Sequence, residues 1–406
     1  MTLSKYTTQE CPDSATLMEL ARAETGLDDF GDDRLRAPLE ALLYSFRHDA
    51  WPKMTPASRE IVVPWLASHL ANRLRVVDDR KRYTDIAKVA IRNPFIVVGP
   101  PRSGSTLLHT LLSLDPKNIA PTYCECLEPS PPLALGEPTP ARIDAANARI
   151  HKFLDQIPNI YIQHSYLIEE GASAVGECGT EILIMAMTTK GLYYYYPLDS
   201  YREYLLTADH SAALAFHHSF LQHAQWGRED RRWALKAADH MVWLGDLHAQ
   251  YPDANLLWTH RDLAELLGSC ASVMCTTRGL CGPVAPEARR GLAQEAVELE
   301  RRLFQHGMRV RDAVGEDRFY DVSYHDVMTN PVRTVERIYE RFGLTLSRQA
   351  ADNIRDWVAR NPQTKHGVHR HSPEDFGLEA DLINRQFEEY RERFGFGFGV
   401  RPSLSV

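Results

Sequence analysis

The sequence lacks the features that would mark a secreted or membrane protein. The N-terminal residues MTLSKYTTQECPDSATL contain neither the basic stretch nor the apolar run of a signal peptide. No uncharged apolar segment is long enough to span a bilayer. The seven cysteines are odd in number and include no CxxC pair, which favours reduced thiols over a disulfide framework. We therefore expect a cytoplasmic protein without a transmembrane segment.

An excess of basic residues is also missing. Lys and Arg number 46 against 54 Asp and Glu, so the net charge is −8. Proteins that bind duplex nucleic acid usually present a basic face, and this balance argues against nucleic acid as the main partner. No set of Cys and His has a convincing zinc-site spacing. The hydrophobic share of 44% is that of an ordinary globular protein, so most of the chain should fold.

Apolar strands alternate with helical patterns over much of the chain. FIVVG, RRWALK, ANLLWTH and RFYDVSY are each followed by a segment with helical periodicity. This alternation predicts an α/β fold with a P-loop-type central parallel sheet flanked by helices. We expect one domain over 1–406: a helical N-terminal segment at 15–90, an α/β core at 94–345 with a helical insertion at about 121–231, and a helical C-terminal segment at 346–406.

The stretch IVVGPPRSGSTLL predicts a strand, a tight glycine loop and a helix, which is the setting of a phosphate-binding loop. Backbone N–H groups at Ser103, Gly104, Ser105 and Thr106 would meet the positive end of the helix and bind a phosphate-sized anion. The three hydroxyls would add donors, and Arg102 a fixed charge. The lysine that bridges nucleotide γ-phosphates is absent, as is a convincing Walker B aspartate. The loop therefore indicates a phosphate held without a γ-phosphate or metal.

A second candidate anion site lies in LLWTHRDLAELLGS. Arg261 directly follows a strand, at the sheet edge where ligands of open α/β folds collect. Ser269 lies about two turns into the next helix. Together they could hold a second anionic group; alternatively, Arg261 caps a carbonyl or pairs with Asp262.

The two motifs together resemble the PAPS-dependent sulfotransferase family, in particular its bacterial-type branch with a PRSGST phosphosulfate loop (PAPS is 3′-phosphoadenosine-5′-phosphosulfate). Further segments, including YCECLEPSPP and WALKAADHMVWL, follow in the family's order over roughly 15–394. The resemblance implies that the PRSGST loop holds the 5′-phosphosulfate and that Arg261 and Ser269 hold the 3′-phosphate. It also implies that Lys365 and Gly367 lie in a C-terminal loop closing over PAPS. No metal is required.

The implied reaction moves the sulfuryl group of PAPS to a hydroxyl or amine of a small molecule and releases adenosine 3′,5′-bisphosphate. Charge on the leaving phosphate must be met by cations, for which Arg102 and Lys236 are candidates. Lys236, at the end of RRWALK, could equally be a solvated strand end, but the resemblance favours the catalytic role. Alternative functions are a P-loop ATP-dependent phosphotransferase and a non-catalytic nucleotide-binding protein of the same fold.

A base must take the acceptor proton, and the sequence offers competing candidates. His240 follows Lys236 closely and a neutral imidazole suits the task, although it could be a core or helix-capping histidine. Glu125, in YCECLEPSPP, competes with it and could instead be a loop carboxylate. Glu177 and Glu181 are spaced to share one helix face. For Glu181 we expect a capped helix start with a solvated or salt-bridged face, whereas Glu177 is excepted from that expectation.

Two clusters remain to be assigned. The run Tyr193–Tyr196 could line a pocket for an aromatic or lipid-like alcohol, although core packing is the simpler expectation. His366, His369 and His371 could suggest a metal, but alternating His and Arg also suit an anion pocket. No oligomeric state is predicted.

Overall fold

A five-stranded parallel sheet forms the centre of the computed structural model, which describes residues 9–157, 169–362 and 372–396. The strands are β1 Phe95–Val98, β2 Asn118–Ile119, β3 Arg232–Lys236, β4 Asn255–His260 and β5 Phe319–Ser323. Their order is β2-β3-β1-β4-β5, and every neighbouring pair is parallel. The carboxyl ends of β1, β3 and β4 therefore meet at one edge, where open α/β sheets bind ligands. The predicted strands are found, and β2 is an additional short strand.

Helices cover the sheet and make up most of the remaining chain. They are α1 Ser14–Thr25, α2 Arg36–Ser45, α3 Pro56–Arg82, α4 Ser105–Ser113, α5 Tyr123–Leu127, α6 Pro140–Leu154, α7 Gly191–Tyr195, α8 Asp199–Thr207, α9 Ser211–Gln225, α10 Leu244–Gln250, α11 Leu263–Thr277, α12 Arg289–Val314, α13 Tyr324–Thr329, α14 Pro331–Arg341, α15 Arg348–Arg360, α16 Ala380–Gln386 and α17 Glu388–Phe394. Among the described residues, none of these helices is both long enough and apolar enough to cross a membrane.

The N-terminal helices pack against the insertion between β2 and β3. Asn72 on α3 donates to the carbonyl of Leu127 at the end of α5, at 2.7 Å. Arg149 on α6 donates to the hydroxyl of Ser68 on α3, at 2.9 Å. These polar contacts lie within a continuous apolar core that also includes β4 and α11. The predicted helical additions thus form one body beside the sheet edge.

Aromatic packing attaches the C-terminal helix α17 to the sheet. Phe394 lies 4.6 Å from the His260 ring, and Tyr390 meets the Nδ1 of His260 at 2.9 Å. The other ring nitrogen of His260 meets Asp321 at 2.8 Å. The last turn of the described chain is therefore docked on β4 and β5.

Candidate active site

The loop between β1 and α4 needs a glycine at two positions. Gly99 has φ of 126°, and a Cβ there would lie 2.6 Å from the hydroxyl of Thr259 on β4. Gly104 has φ of 85°, and a Cβ there would lie 2.8 Å from the ring of Tyr324. Arg102 also adopts the left-handed region, at φ 68°. The loop is therefore closely fitted between neighbouring elements.

Ser103 fixes this loop from inside. Its buried hydroxyl donates to the carbonyl of Pro100 at 2.6 Å and lies 2.6 Å from the hydroxyl of Thr259. We expected this hydroxyl to serve as a ligand donor, and the structure corrects that expectation because the group is engaged within the fold. What Ser103 can offer an anion is its backbone N–H. Ser105 and Thr106, in contrast, open α4 and face a cavity.

The two predicted phosphate motifs meet at the sheet edge. Arg102 donates through Nε to the hydroxyl of Ser269 at 2.9 Å. Arg261 donates to the carbonyl of Arg102 at 2.8 Å, and its guanidinium lies over the Tyr324 ring, 4.2 Å from the ring centre. Its ion-pair partner is Glu265, at 2.9 Å. Two guanidiniums and a hydroxyl thus surround the start of the loop.

A cavity of about 350 Å³ opens beside the loop. On the loop side it is polar, and Arg102, Thr106, Lys236 and Glu177 contribute there. On the other side it is mostly apolar and aromatic, with lining residues from α3, α5, α6 and α7 that include Trp65, Tyr123, Phe153, Tyr194 and Tyr195. The N-terminal helices and the insertion therefore form the wall that faces the phosphate loop.

Lys236 and Glu177 lie where the two sides of the cavity meet. Lys236 ends β3, next to β1 in the sheet, and its side chain is buried. Its ammonium forms an ion pair with Glu177 and lies 3.1 Å from the hydroxyl of Thr106. The lysine is therefore not a solvated strand end. The pair puts a cation and a carboxylate beside the phosphate loop.

A model of the sulfotransferase family matches residues 94–348. The chain belongs to the sulfotransferase family. Transfer of a sulfuryl group is the reaction of this family, and PAPS is in general its donor. The predicted family and enzyme class are thereby confirmed.

Similar proteins agree with this assignment. Omega-hydroxy-beta-dihydromenaquinone-9 sulfotransferase Stf3 of Mycobacterium tuberculosis is 23% identical over 77% of this chain and 77% of its own. Sulfotransferase STF9 from Mycobacterium avium superposes with a TM-score of 0.83 at 24% identity, covering 96% of this chain and 98% of that one. Sulfotransferase STF1 from Mycobacterium tuberculosis superposes with a TM-score of 0.79 at 26% identity, covering 94% of this chain and 100% of that one. The predicted α/β fold is confirmed.

Glu181 is a second carboxyl at the cavity of this sulfotransferase. Glu177 immediately precedes the π-helical turn Cys178–Ile182, Glu181 lies within that turn, and both line the cavity. Burial, and then the neighbouring Glu177 carboxylate, raise the pKa of Glu181 to about 7. The i, i+4 spacing is the sequence signal for this pair, but it fits a salt-bridged helix face equally well. That face is what we expected for Glu181, and the structure corrects it.

The expected base His240 lies in the core and does not line the cavity. Its side chain is fully buried, and burial lowers its pKa to about 3. The indole N–H of Trp243 donates to Nδ1 at 3.2 Å, and Nε2 lies 3.1 Å from the sulfur of Cys178. Both ring nitrogens are engaged away from the cavity, so this placement favours the alternative of a core histidine over the predicted base.

Cys178, His217 and His240 bring potential ligand atoms within 4.8 Å of one another. An indole N–H can only donate, so Nδ1 of His240 carries no proton and the neutral ring is protonated at Nε2. A metal ion at Nε2 would have to displace that proton and leave an imidazolate. The thiol of Cys178 lies 3.6 Å from the carbonyl of Lys236, which continues a hydrogen-bonded chain from Trp243. We therefore interpret the cluster as a hydrogen-bonded support beneath Lys236.

Glu125, the other expected base, is a structural carboxylate. One oxygen accepts from the backbone N–H and hydroxyl of Thr122, at 2.8 and 2.9 Å, in a capping box that opens α5. The other lies 2.5 Å from the guanidinium of Arg228. The side chain is 4% exposed and does not line the cavity. Its hydrogen-bonding capacity is directed into the fold, which favours a structural role over the predicted catalytic one.

Of the tyrosine run Tyr193–Tyr196, two residues line the cavity and two pack in the core. Tyr194 and Tyr195 line the cavity, as an acceptor pocket requires. Tyr193 and Tyr196 pack away from it, and the hydroxyl of Tyr193 accepts from Arg202 at 2.7 Å. Lys365, Gly367 and the three histidines at 366, 369 and 371 lie outside the described residues.

Proposed function

We propose that this sulfotransferase transfers the sulfuryl group of PAPS to the hydroxyl of an apolar, lipid-like alcohol and releases adenosine 3′,5′-bisphosphate. The observation that carries the proposal is the cavity, whose aromatic wall leads to the Lys236–Glu177 pair beside the phosphate loop. An alcohol fits this cavity better than an amine, because an amine would enter as a cation and lose its hydration among apolar side chains.

On the donor side, we propose that the 5′-phosphosulfate lies at the start of α4. The backbone N–H groups of residues 103–106 and the positive end of the helix suit an anion there. Arg102 adds a cation beside them. Arg261 and Ser269 lie at the adjacent strand end and would hold the 3′-phosphate, in agreement with the family resemblance. Lys365 and Gly367 remain candidates for the loop over PAPS.

For the chemistry, we propose Glu177 as the base and Lys236 as the main catalytic cation. PAPS supplies the sulfuryl group and a phosphate leaving group. The Glu177 carboxylate takes the proton of the acceptor hydroxyl as that oxygen becomes nucleophilic. Lys236, buried between Glu177 and Thr106, stabilises negative charge that develops toward the phosphate loop.

The acceptor class follows from the wall of the cavity. Trp65, Tyr123, Phe153 and Tyr195 present flat rings from four different helices. Aromatic walls of this kind bury extended apolar groups and bind them through contact area. The similar Mycobacterium protein Stf3 bears the name of a hydroxylated menaquinone sulfotransferase, which supports a lipid-like alcohol here too. We also propose that 1–406 forms one domain, because the helical additions complete the cavity.

Calorimetric titration tests the donor half of this proposal. We expect tight, magnesium-independent binding of adenosine 3′,5′-bisphosphate and weak binding of ATP. Transfer from radiolabelled PAPS to primary alcohols of increasing chain length then tests the acceptor half, and kcat/KM should rise with chain length. Magnesium-dependent binding of ATP without bisphosphate binding would contradict the donor assignment, whereas preference for short alcohols would contradict the acceptor class.

The Arg261→Ala change tests the 3′-phosphate assignment. We expect it to weaken binding of adenosine 3′,5′-bisphosphate by about tenfold to a hundredfold, because it removes one charged hydrogen-bonding group. Binding of adenosine 5′-phosphosulfate, which has no 3′-phosphate, should change little. Calorimetry with both ligands measures the difference, and Arg348→Ala at an exposed position is the control. Equal losses for both ligands would show that Arg261 instead supports the loop through the Arg102 carbonyl.

A further inference from the structure

Two glutamates with different surroundings lie one turn apart at the reacting end of the cavity. The N–H of Glu181 donates to the carbonyl of Glu177 at 2.8 Å across the turn Cys178–Ile182. This turn is π-helical, a conformation that is rare overall and frequent at functional sites. Both side chains line the cavity. An acceptor hydroxyl that reaches Glu177 therefore comes close to a second carboxyl.

The carboxyls of Glu177 and Glu181 differ in their ion pairing. Glu177 is paired with the buried ammonium of Lys236. In the part of the chain that the structure describes, the Glu181 carboxyl has neither an ion-pair partner nor a hydrogen-bond partner. The charged groups that act on it are Glu177, Arg149 and Asp239.

Arg149 and Asp239 are already engaged with other partners. Arg149 donates to the Leu127 carbonyl at 2.7 Å and pairs with Glu128 at 3.1 Å. Asp239 accepts from the hydroxyl of Thr189 at 2.6 Å and from the N–H of Lys190 at 2.9 Å. Asp239 is itself an anion and Arg149 is bonded to other groups, so within the described residues no cation pairs with Glu181 at the cavity.

We propose that Glu181 receives from Glu177 the proton that the acceptor hydroxyl loses. The inference rests on the proposed function. In the first step the acceptor O–H bond breaks, its proton moves to the Glu177 carboxylate, and the acceptor oxygen forms its bond to sulfur as the sulfur–phosphate oxygen bond breaks. In the second step the proton moves to the Glu181 carboxylate, and the Glu177 anion pairs again with Lys236. The proton leaves Glu181 for water when the product departs.

Electrostatics give the direction of the second step. The Lys236 ammonium stabilises the anionic form of Glu177, whereas the apolar wall around Glu181 stabilises its neutral form. The proton is therefore more stable on Glu181 than on Glu177. The raised pKa of Glu181, about 7, agrees with this and allows the group to release the proton again near neutral pH.

The pH profile of Glu181→Gln tests this role. The wild-type kcat should fall as the pH drops below about 7, because Glu181 then already carries a proton and cannot receive another. In Glu181→Gln this fall of kcat at low pH should disappear, and kcat at about pH 8 should be about tenfold lower than in the wild type. Affinity for adenosine 3′,5′-bisphosphate should be unchanged. Glu298→Gln, which alters an exposed glutamate on α12, is the control and should keep the wild-type profile.

Thermal unfolding tests the proton-binding site without any turnover. The pKa of Glu181 is raised from its ordinary value of 4.5 to about 7 in the folded protein. Between these two pH values the folded protein therefore keeps a proton on Glu181 that the unfolded chain has released. Its stabilising contribution is complete below that range and is lost as the pH rises through 7. Glutamine does not ionise, so the melting temperature of the wild type should fall relative to that of Glu181→Gln between about pH 4.5 and about pH 8.

The two measurements separate this inference from the proposed function. One outcome is that the wild type transfers the sulfuryl group and that kcat of Glu181→Gln still falls at low pH as in the wild type. This result would overturn the role of Glu181 and leave the proposed function intact. A constant melting-temperature difference across the pH range would overturn it as well, even with an inactive wild type. A wild type that transfers to none of the alcohols but shows the pH-dependent difference would contradict the proposed function while retaining the proton site.

Discussion

Replacing Lys236 with methionine should lower kcat for sulfuryl transfer by about a hundredfold to a thousandfold, the usual effect of removing one preorganised charge-stabilising donor. The ammonium lies 3.1 Å from Thr106 at the start of the phosphate-loop helix, where it can meet charge that develops during transfer. Methionine preserves most of the volume of the side chain and removes the charge. Single-turnover kinetics with PAPS and a saturating alcohol would measure the change.

The double variant Lys236→Met/Glu177→Gln controls for the carboxylate that the single change leaves without its cation. Leaving one partner of a buried pair unmatched destabilises proteins, so the melting temperature should fall in the single variant and recover in the double one. Lys88→Met, at an exposed ion pair, should leave both properties unchanged. A Lys236→Met enzyme with more than about a tenth of the wild-type kcat would exclude Lys236 as the main catalytic cation.

The second large effect is expected from Glu177→Gln compared with Glu125→Gln. Removing the general base should lower kcat by about a hundredfold to ten-thousandfold. The melting temperature should also fall, because the buried Lys236 ammonium loses its carboxylate partner. Glu125→Gln should affect stability alone, because its carboxylate holds Thr122 and Arg228 within the fold. Its melting temperature should fall while kcat stays close to that of the wild type.

Steady-state kinetics and thermal unfolding of the two matched variants decide between the bases. Both changes are isosteric and remove one negative charge, so a difference in kcat reports position relative to the acceptor. If Glu125→Gln lost activity at full stability and Glu177→Gln remained active, the base assignment would return to Glu125. If both variants kept full activity, no glutamate of this pair would be the base.

Contiguous features of the site could be predicted from the sequence, because short-range geometry determines them. PRSGST lies between a strand and a helix, and those two elements alone set the loop at the sheet edge. Arg261 could be located because it ends a strand, and parallel strands bring their carboxyl ends to the same edge. Lys236 could be located for the same reason. The family resemblance then predicted their roles: the loop for the 5′-phosphosulfate, Arg261 for the 3′-phosphate and Lys236 as a catalytic cation.

The proposed base Glu177 could not be predicted in this way, because its position depends on contacts between distant segments. His240 follows Lys236 closely in sequence, but the turn after β3 directs its ring into the core against Trp243 and Cys178. Glu177 approaches Lys236 from an insertion 59 residues earlier in the chain, a contact with no local signal. The structural role of Glu125 could have been predicted, because Thr122 lies three residues before it and the two residues form the capping-box pattern.

The cavity has two walls of different origin, and this division affects how the enzyme can be redesigned. The ends of the strands supply the donor wall, and α3, α5, α6 and α7 supply the acceptor wall. Grafting those helices from another sulfotransferase should therefore exchange acceptor preference without rebuilding the donor machinery. Glu177 is the exception, since it belongs to the insertion and yet pairs with Lys236 on the sheet. A chimera must preserve the register of Glu177, because a graft shifted by one residue would separate its carboxylate from the Lys236 ammonium.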